Sequence, residues 1–210
     1  MAEIETIEEF YKMKFSGIPG NIQKEIGDFN VFRIEDVLSE NGEVEVKYAR
    51  RDFYKISLIT GSNLFIYADK TIKIDGPSLL FFNPNVPYKW ESLSKENIGF
   101  FCIFREGFFA EKLKANINDL PMFAIGGKPS YILNEDQNEQ LSAIFKKIIG
   151  EIGSDYRFKQ DLLVSYVTEI IHFALKMEPS EVLYQQADAN SRITSIFSEL
   201  LERQFPNRFS

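Results

Sequence analysis

Few residues in this chain could act as nucleophile, base or metal ligand. Its 210 residues include one cysteine, Cys102, and one histidine, His172. Cys/His metal centres need several ligands at short spacing, so no metal is expected. Gly126-Gly127 runs into Lys128-Pro129 rather than into a helix start followed by Ser or Thr, so the chain has no phosphate-cradling loop, and no cofactor is expected. Cys102 and His172 could work as nucleophile and base only within hydrogen-bond reach of each other. Cys102 lies in the apolar run IGFFCIF and reads as a small buried hydrophobe, while His172 falls on the polar stripe of a helix and reads as solvated. Acidic pairs such as Glu8-Glu9 and Glu135-Asp136 suit the first turns of helices, where the dipole favours them. No catalytic residue is nominated and no enzymatic activity is expected.

Binding chemistry has more support. The stretch GPSLLFFNPNVPYKW closes an apolar strand with an Asn-Pro-Asn turn and then places Tyr88 and Trp90 two residues apart. Successive strand residues point to opposite faces, so Tyr88 and Trp90 share one. Phe101 and Ile103 share a face of a neighbouring strand, as do Tyr54, Ile56 and Leu58. Converging faces would make an apolar pocket with a few polar tips, the usual small-molecule site. The alternative is that the rings fill a small barrel. Arg50-Arg51 precede the strand FYKISLIT, and only one of them can share the face of Tyr54. Its forked donors suit a carboxylate or a cluster of sugar hydroxyls; the alternative is a pair of surface charges matched to Asp52. The candidate ligand-binding set is Arg51, Tyr54, Ile56, Tyr88, Trp90, Phe101 and Ile103. Phe100, Cys102 and Phe104 would face outward, toward helices.

The elements that must position these residues have two periods. Residues ~29–104 read as seven or eight short strands at ~10-residue spacing, separated by turn signals, which argues for a sandwich or small barrel. Residues ~134–205 read as helices. Asn134 and Gln137 form a capping box, and Leu141, Ile144, Phe145, Ile148 and Ile152 follow at helical spacing. A second helix, ~156–177, has an apolar face too wide for a single contact. Pro179 ends it, and a polar link leads to a third amphipathic helix, RITSIFSELLERQF.

The net charge of −7 and the absence of a basic stripe make this chain on its own a poor binder of nucleic acid. No apolar run is long enough to span a membrane. The acidic start, MAEIETIEEFYKMKF, lacks the apolar segment of a secretory signal, so a cytoplasmic setting is expected.

The run YARRDFYKISLITG, then IDGPSLLFFNPNVPYKWE, then DYRFKQDLLVSYVTEIIHFALKM and NSRITSIFSELLERQFP, resembles the N-terminal half of AraC-type (AraC/XylS) transcription regulators, from about Phe29 to Pro206. The resemblance implies an α+β fold: a cupin-like small β-barrel (jelly-roll), an antiparallel helical pair and a terminal linker helix. It divides the chain into an effector-binding barrel (1–133), a dimerising helical hairpin (134–178) and a linker (179–210) toward a helix-turn-helix domain that is missing here, which suggests a truncated piece or a natural fragment. Implied partners are a small-molecule effector (a sugar, or an aromatic or other organic acid) and a second copy of the chain, with Leu162, Tyr166, Ile170 and Phe173 as dimer contacts. DNA would be reached only through the missing domain. Metal-dependent cupins place a histidine where Tyr88 stands, so that departure weighs against metal chemistry. The turn's usual glycine is Asn85, which tolerates the left-handed conformation better than other non-glycine residues. Two other readings are a stand-alone non-metal cupin enzyme such as an isomerase, and a dominant-negative dimer partner.

Overall fold

A computed structural model describes residues 4–15, 28–39, 46–67, 70–94, 96–109 and 116–178. The expected third helix and the linker lie outside these residues.

Among the described residues ten strands form two five-stranded sheets, with strand orders β1-β3-β8-β5-β6 and β10-β7-β4-β9-β2. The strands of the first sheet are β1 (Ile4–Glu5), β3 (Val46–Arg51), β5 (Ser62–Tyr67), β6 (Lys70–Asp75) and β8 (Tyr88–Ser92). Those of the second are β2 (Phe29–Arg33), β4 (Tyr54–Thr60), β7 (Ser78–Phe82), β9 (Ile98–Phe104) and β10 (Ser130–Ile132). The order of jumps gives a cupin-like jelly-roll sandwich, with every pairing antiparallel except β1 beside β3.

The burial patterns identify the layers. Along β5, half-buried and buried residues alternate, as expected of a sheet with one face in water. Along β7 all five residues are buried, as expected of a strand covered on both faces. The second sheet is therefore the middle layer. Its inner face meets the first sheet through Ile59, Leu80, Phe82, Phe101 and Ile103. Its outer face, with Ile56, Leu58, Leu79, Phe81, Phe100, Cys102 and Phe104, meets the helices α3 (Glu135–Ile152) and α4 (Lys159–Met177). Leu141, Ile144, Phe145 and Ile148 of α3 are all buried, and Phe145 stacks on Phe100 at 5.6 Å. The Asn134–Gln137 capping box is formed in both directions.

The N-terminal segment is structural as well. Helix α1 (Ile7–Phe15) places Ile7, Phe10 and Tyr11 in the layer between the sheets, together with Ile34 and Val37 of α2 (Ile34–Ser39). The spacing 7, 10, 11 is helical, and it is the signal by which this segment could be recognised from sequence. Arg105 ties the segment down, donating to Glu8 and Asp52, while Asp52 also accepts from the Ile7 amide at 2.8 Å.

Candidate functional site

Five of the expected ligand-binding residues meet between the sheets, and two do not. Tyr88, Trp90, Phe101 and Ile103 belong to the inter-sheet cluster. Arg51, 5% exposed, joins them with its guanidinium carbon 3.9 Å from the centre of the Tyr88 ring. Tyr54 and Ile56 are the correction. The β4–β9 register pairs Tyr54 with Phe104 and Ile56 with Cys102, and directly paired residues point to the same side of a sheet. Both therefore face the helical layer. Tyr54 stacks on Phe104 at 5.5 Å, and its hydroxyl donates to Asn118 Oδ1 at 2.9 Å. The residues of β4 on the inner face are the alternate ones, Lys55, Ser57 and Ile59. Lys55 is the functional candidate that sequence reasoning missed. Its Nζ lies 4.4 Å from the Phe101 ring centre and 5.8 Å from that of Phe82. Both sets of alternate residues in FYKISLIT contain apolar side chains, so periodicity could not choose between them.

Arg51 lies within strand β3 rather than in a loop before β4, and its ion-pair partner is Glu5 on the adjacent β1, Nε to Oε2 at 2.8 Å. It also donates to the carbonyls of Ala49 and Tyr88. Asp52, the expected partner of the Arg pair, is engaged by Arg105 instead. Trp90 is oriented by Asn63, a fully buried amide whose oxygen accepts from the indole Nε1 at 2.8 Å and whose nitrogen donates to Asn97 at 2.8 Å. Burial pushes the hydroxyls of Tyr67 and Tyr88 up to about 12, although the Arg51 charge pulls Tyr88 the other way. Both stay protonated at neutral pH, as does the Cys102 thiol, which burial also raises to about 12. His172 is exposed. Among the described residues no group of His, Cys, Asp or Glu is arranged to hold a metal, and no described helix is long and apolar enough to cross a membrane.

The Asn-Pro-Asn turn is held mainly by Asn83. Its side chain donates to Phe123 O and Asn118 Oδ1 and accepts from the Asn85 amide, and its own amide donates to Tyr67 Oη. The turn thereby joins the middle sheet to the 116–124 segment and delivers Tyr88 onto Phe82, ring centres 4.3 Å apart.

Side chains fill most of the space between the sheets. One recess, of about 10 Å³, is lined by Phe65, Tyr67, Ile72, Ile74, Leu80, Phe82, Pro129 and Ser130 and has room for roughly one water molecule. It sits where the edge strand β6 faces the β7–β10 edge, and its wall Phe82 packs against Tyr88.

Of the expected dimer contacts, Leu162, Tyr166 and Phe173 are half-buried on α4, whereas Ile170 is fully buried against α3 and the sheet. Ile170 is thus a correction: a side chain with no exposed surface has none to offer a partner. The helix surplus seen in sequence is mostly absorbed by the chain's own core.

The family model for the AraC-like ligand binding domain matches residues 39–169, more than half of the chain. No curated protein matches the sequence. Among solved structures, ToxT from Vibrio cholerae O395 bound to (E)-4-(8-methylnaphthalen-1-yl)but-3-enoic acid is 18% identical with a TM-score of 0.41, the match covering 68% of this chain and 56% of that one. Another structure of ToxT from Vibrio cholerae O395 is 16% identical with a TM-score of 0.41, covering 86% and 70%. A cupin protein from Bacteroides fragilis is 18% identical with a TM-score of 0.27, covering 41% and 82%. The chain spans about half the length of the first of the ToxT structures it matches.

Proposed function

The chain belongs to the AraC-like ligand binding domain family, and from that premise we propose that it senses a small, largely apolar molecule held between its two sheets. Occupancy would favour one of two arrangements of the domain, a population shift that biases a dimer and, through it, a DNA-binding domain of the whole regulator. The observation that carries this reading is the recess at the β6/β10 edge. It is walled by apolar and aromatic side chains, and one wall, Phe82, packs on its far side against Tyr88 of the cluster that also holds Trp90 and Phe101. With about 10 Å³ free, this reading requires a ligand to make room by displacing Phe82 or Ile72. Lys55 and Arg51 flank the Phe82–Tyr88 ring pair, which favours a ligand with an acidic group on an apolar body.

On this reading residues 1–133 sense, 134–178 dimerise through the half-buried edge of α4 at Leu162, Tyr166 and Phe173, and 179–210 link onward. The setting would be cytoplasmic, and no turnover is involved.

A thermal-shift panel of medium-chain fatty acids, aromatic acids and sugars tests the site. A ligand at a hundred times its Kd adds about 2.7 kcal/mol of stability. We expect an amphipathic acid to raise Tm and Ile74→Trp, which blocks the recess, to abolish the shift. Equal stabilisation of both proteins would place binding elsewhere and overturn the assignment.

A further inference from the structure

Tyr131 and Glu178 are buried polar side chains from different layers that meet in a loosely aligned contact. Tyr131 is 2% exposed and Glu178 8%, and among the described residues the Glu178 carboxyl lies within reach of the tyrosine hydroxyl without forming a well-aligned hydrogen bond. They are close enough that the carboxylate, after burial itself, raises the pKa of the tyrosine hydroxyl. Lys128 completes the cluster, its Nζ 3.4 Å from Glu178 Oε1 and 5.0 Å from the Tyr131 ring centre, with most of its own side chain in water. Buried polar groups are nearly always satisfied, and one left unsatisfied raises the energy of the state that contains it. The Lys128–Glu178–Tyr131 contact is made but loosely aligned, so a small movement of either element opens it.

The positions of these residues say what would move them. Glu178 terminates α4, its amide donating to Leu175 O. Lys128 and Tyr131 bracket Pro129 and Ser130, and those two residues wall the inter-sheet recess. Strand β10 has three residues and, among the described strands, pairs with β7 alone, Ser130 opposite Leu80 and Tyr131 opposite Leu79. Strand alternation turns Ser130 to the recess and Tyr131 to the helical layer. One short edge strand thus touches the recess with one face and the end of α4 with the other.

We propose that β10 is a lever: a molecule seated in the recess displaces Pro129 and Ser130, opens the Lys128–Tyr131 hold on Glu178, and releases the C-terminal turn of α4. The trigger rests on the effector reading above; the mechanical link between β10 and α4 does not.

Hydrogen exchange on the full chain separates the two. The fluorophore anilinonaphthalene sulfonate serves as an apolar anionic probe of the recess, while Ser130→Phe and Ile72→Phe fill the recess from opposite walls without any ligand. Probe and substitutions alike are expected to quicken exchange at Lys176, Met177 and Glu178 by about ten-fold, within the usual range of coupling between sites, and to leave Ile144 to Ile148 of α3 protected. In Glu178→Ala the amides of Lys176 and Met177 exchange quickly at the outset and no longer respond to the recess. The lever is overturned if the recess is filled with α3 still protected and the end of α4 unchanged, or if Glu178→Ala still responds. A probe that does not bind counts against the effector reading, and the two filled variants still decide the lever. Should either variant fail to fold, the other and the probe on the unsubstituted chain give the same reading.

Discussion

The guanidinium of Arg51 lies over the Tyr88 ring at 3.9 Å while its Nε holds Glu5 at 2.8 Å. One side chain thus joins the N-terminal strand to the aromatic cluster between the sheets. Arg51→Ala strands a nearly buried carboxylate and should lower stability by about 3 kcal/mol. Arg51→Lys keeps the charge but not the forked geometry and should fall between. Chemical denaturation of Arg51→Ala, Glu5→Ala and the double variant checks this, with the double expected to cost clearly less than the sum of the singles.

Trp90 is the single tryptophan of the chain. Replacing it with Phe leaves Asn63 Oδ1 without its indole donor in a fully buried position. The expected loss is about 1–3 kcal/mol for the orphaned acceptor, besides the smaller ring. Because Trp90 is 9% exposed, its emission in the unsubstituted protein should resist aqueous quenchers. Ready quenching would contradict the packed interior.

Gly99 has φ +136°, in the range that disfavours side chains, and a Cβ there would run into the Leu58 carbonyl of the paired strand. Gly99→Ala should therefore destabilise by about 2 kcal/mol or more. A substitution without effect on the denaturation midpoint would show that β4 and β9 are not in this register.

Alkaline pH should unfold the domain early. Tyr11, Tyr67 and Tyr88 are raised from 10.0, and Cys102 from 9.0, each to about 12, chiefly by burial of groups that are neutral in the fold. Their contribution is complete below the ordinary value and is lost as pH climbs to about 12, because only the unfolded chain ionises freely there. Each group then costs up to about 1.4 kcal/mol per pH unit. Denaturation midpoints should hold steady at neutral pH and fall steeply above pH 9 to 10; a flat profile up to pH 12 would refute the burial of these groups.

Phe82 separates the recess from Tyr88. Phe82→Ala should cost about 3–5 kcal/mol, and it should also enlarge the apolar space enough to admit a small aromatic such as indole. Saturable stabilisation by indole in the variant, absent in the parent, is the expected result.

Much of this protein was legible in the sequence. The strand IGFFCIF is β9 from first residue to last, and the Asn134–Gln137 box starts α3 as expected. These are local signals, set by side-chain period and backbone chemistry within a few residues. β10, by contrast, was not legible, because three residues carry no measurable period. Nor was α2, which follows β2 directly inside the stretch, ~29–104, whose pattern reads as strands.

The sequence by itself determined the fold class and the aromatic character of the interior. It determined as well that Tyr88 and Trp90 share a face, since alternation along one strand needs no partner. Only the tertiary structure decided which face of β4 looks inward. That choice depends on the register with β9, and a shift of one residue exchanges Tyr54 and Ile56 for Lys55 and Ser57. It likewise decided that Arg51 answers to Glu5, 46 positions away, and that Ile170 belongs to the core. Distances along the chain hold no record of such contacts, because they arise only when layers stack.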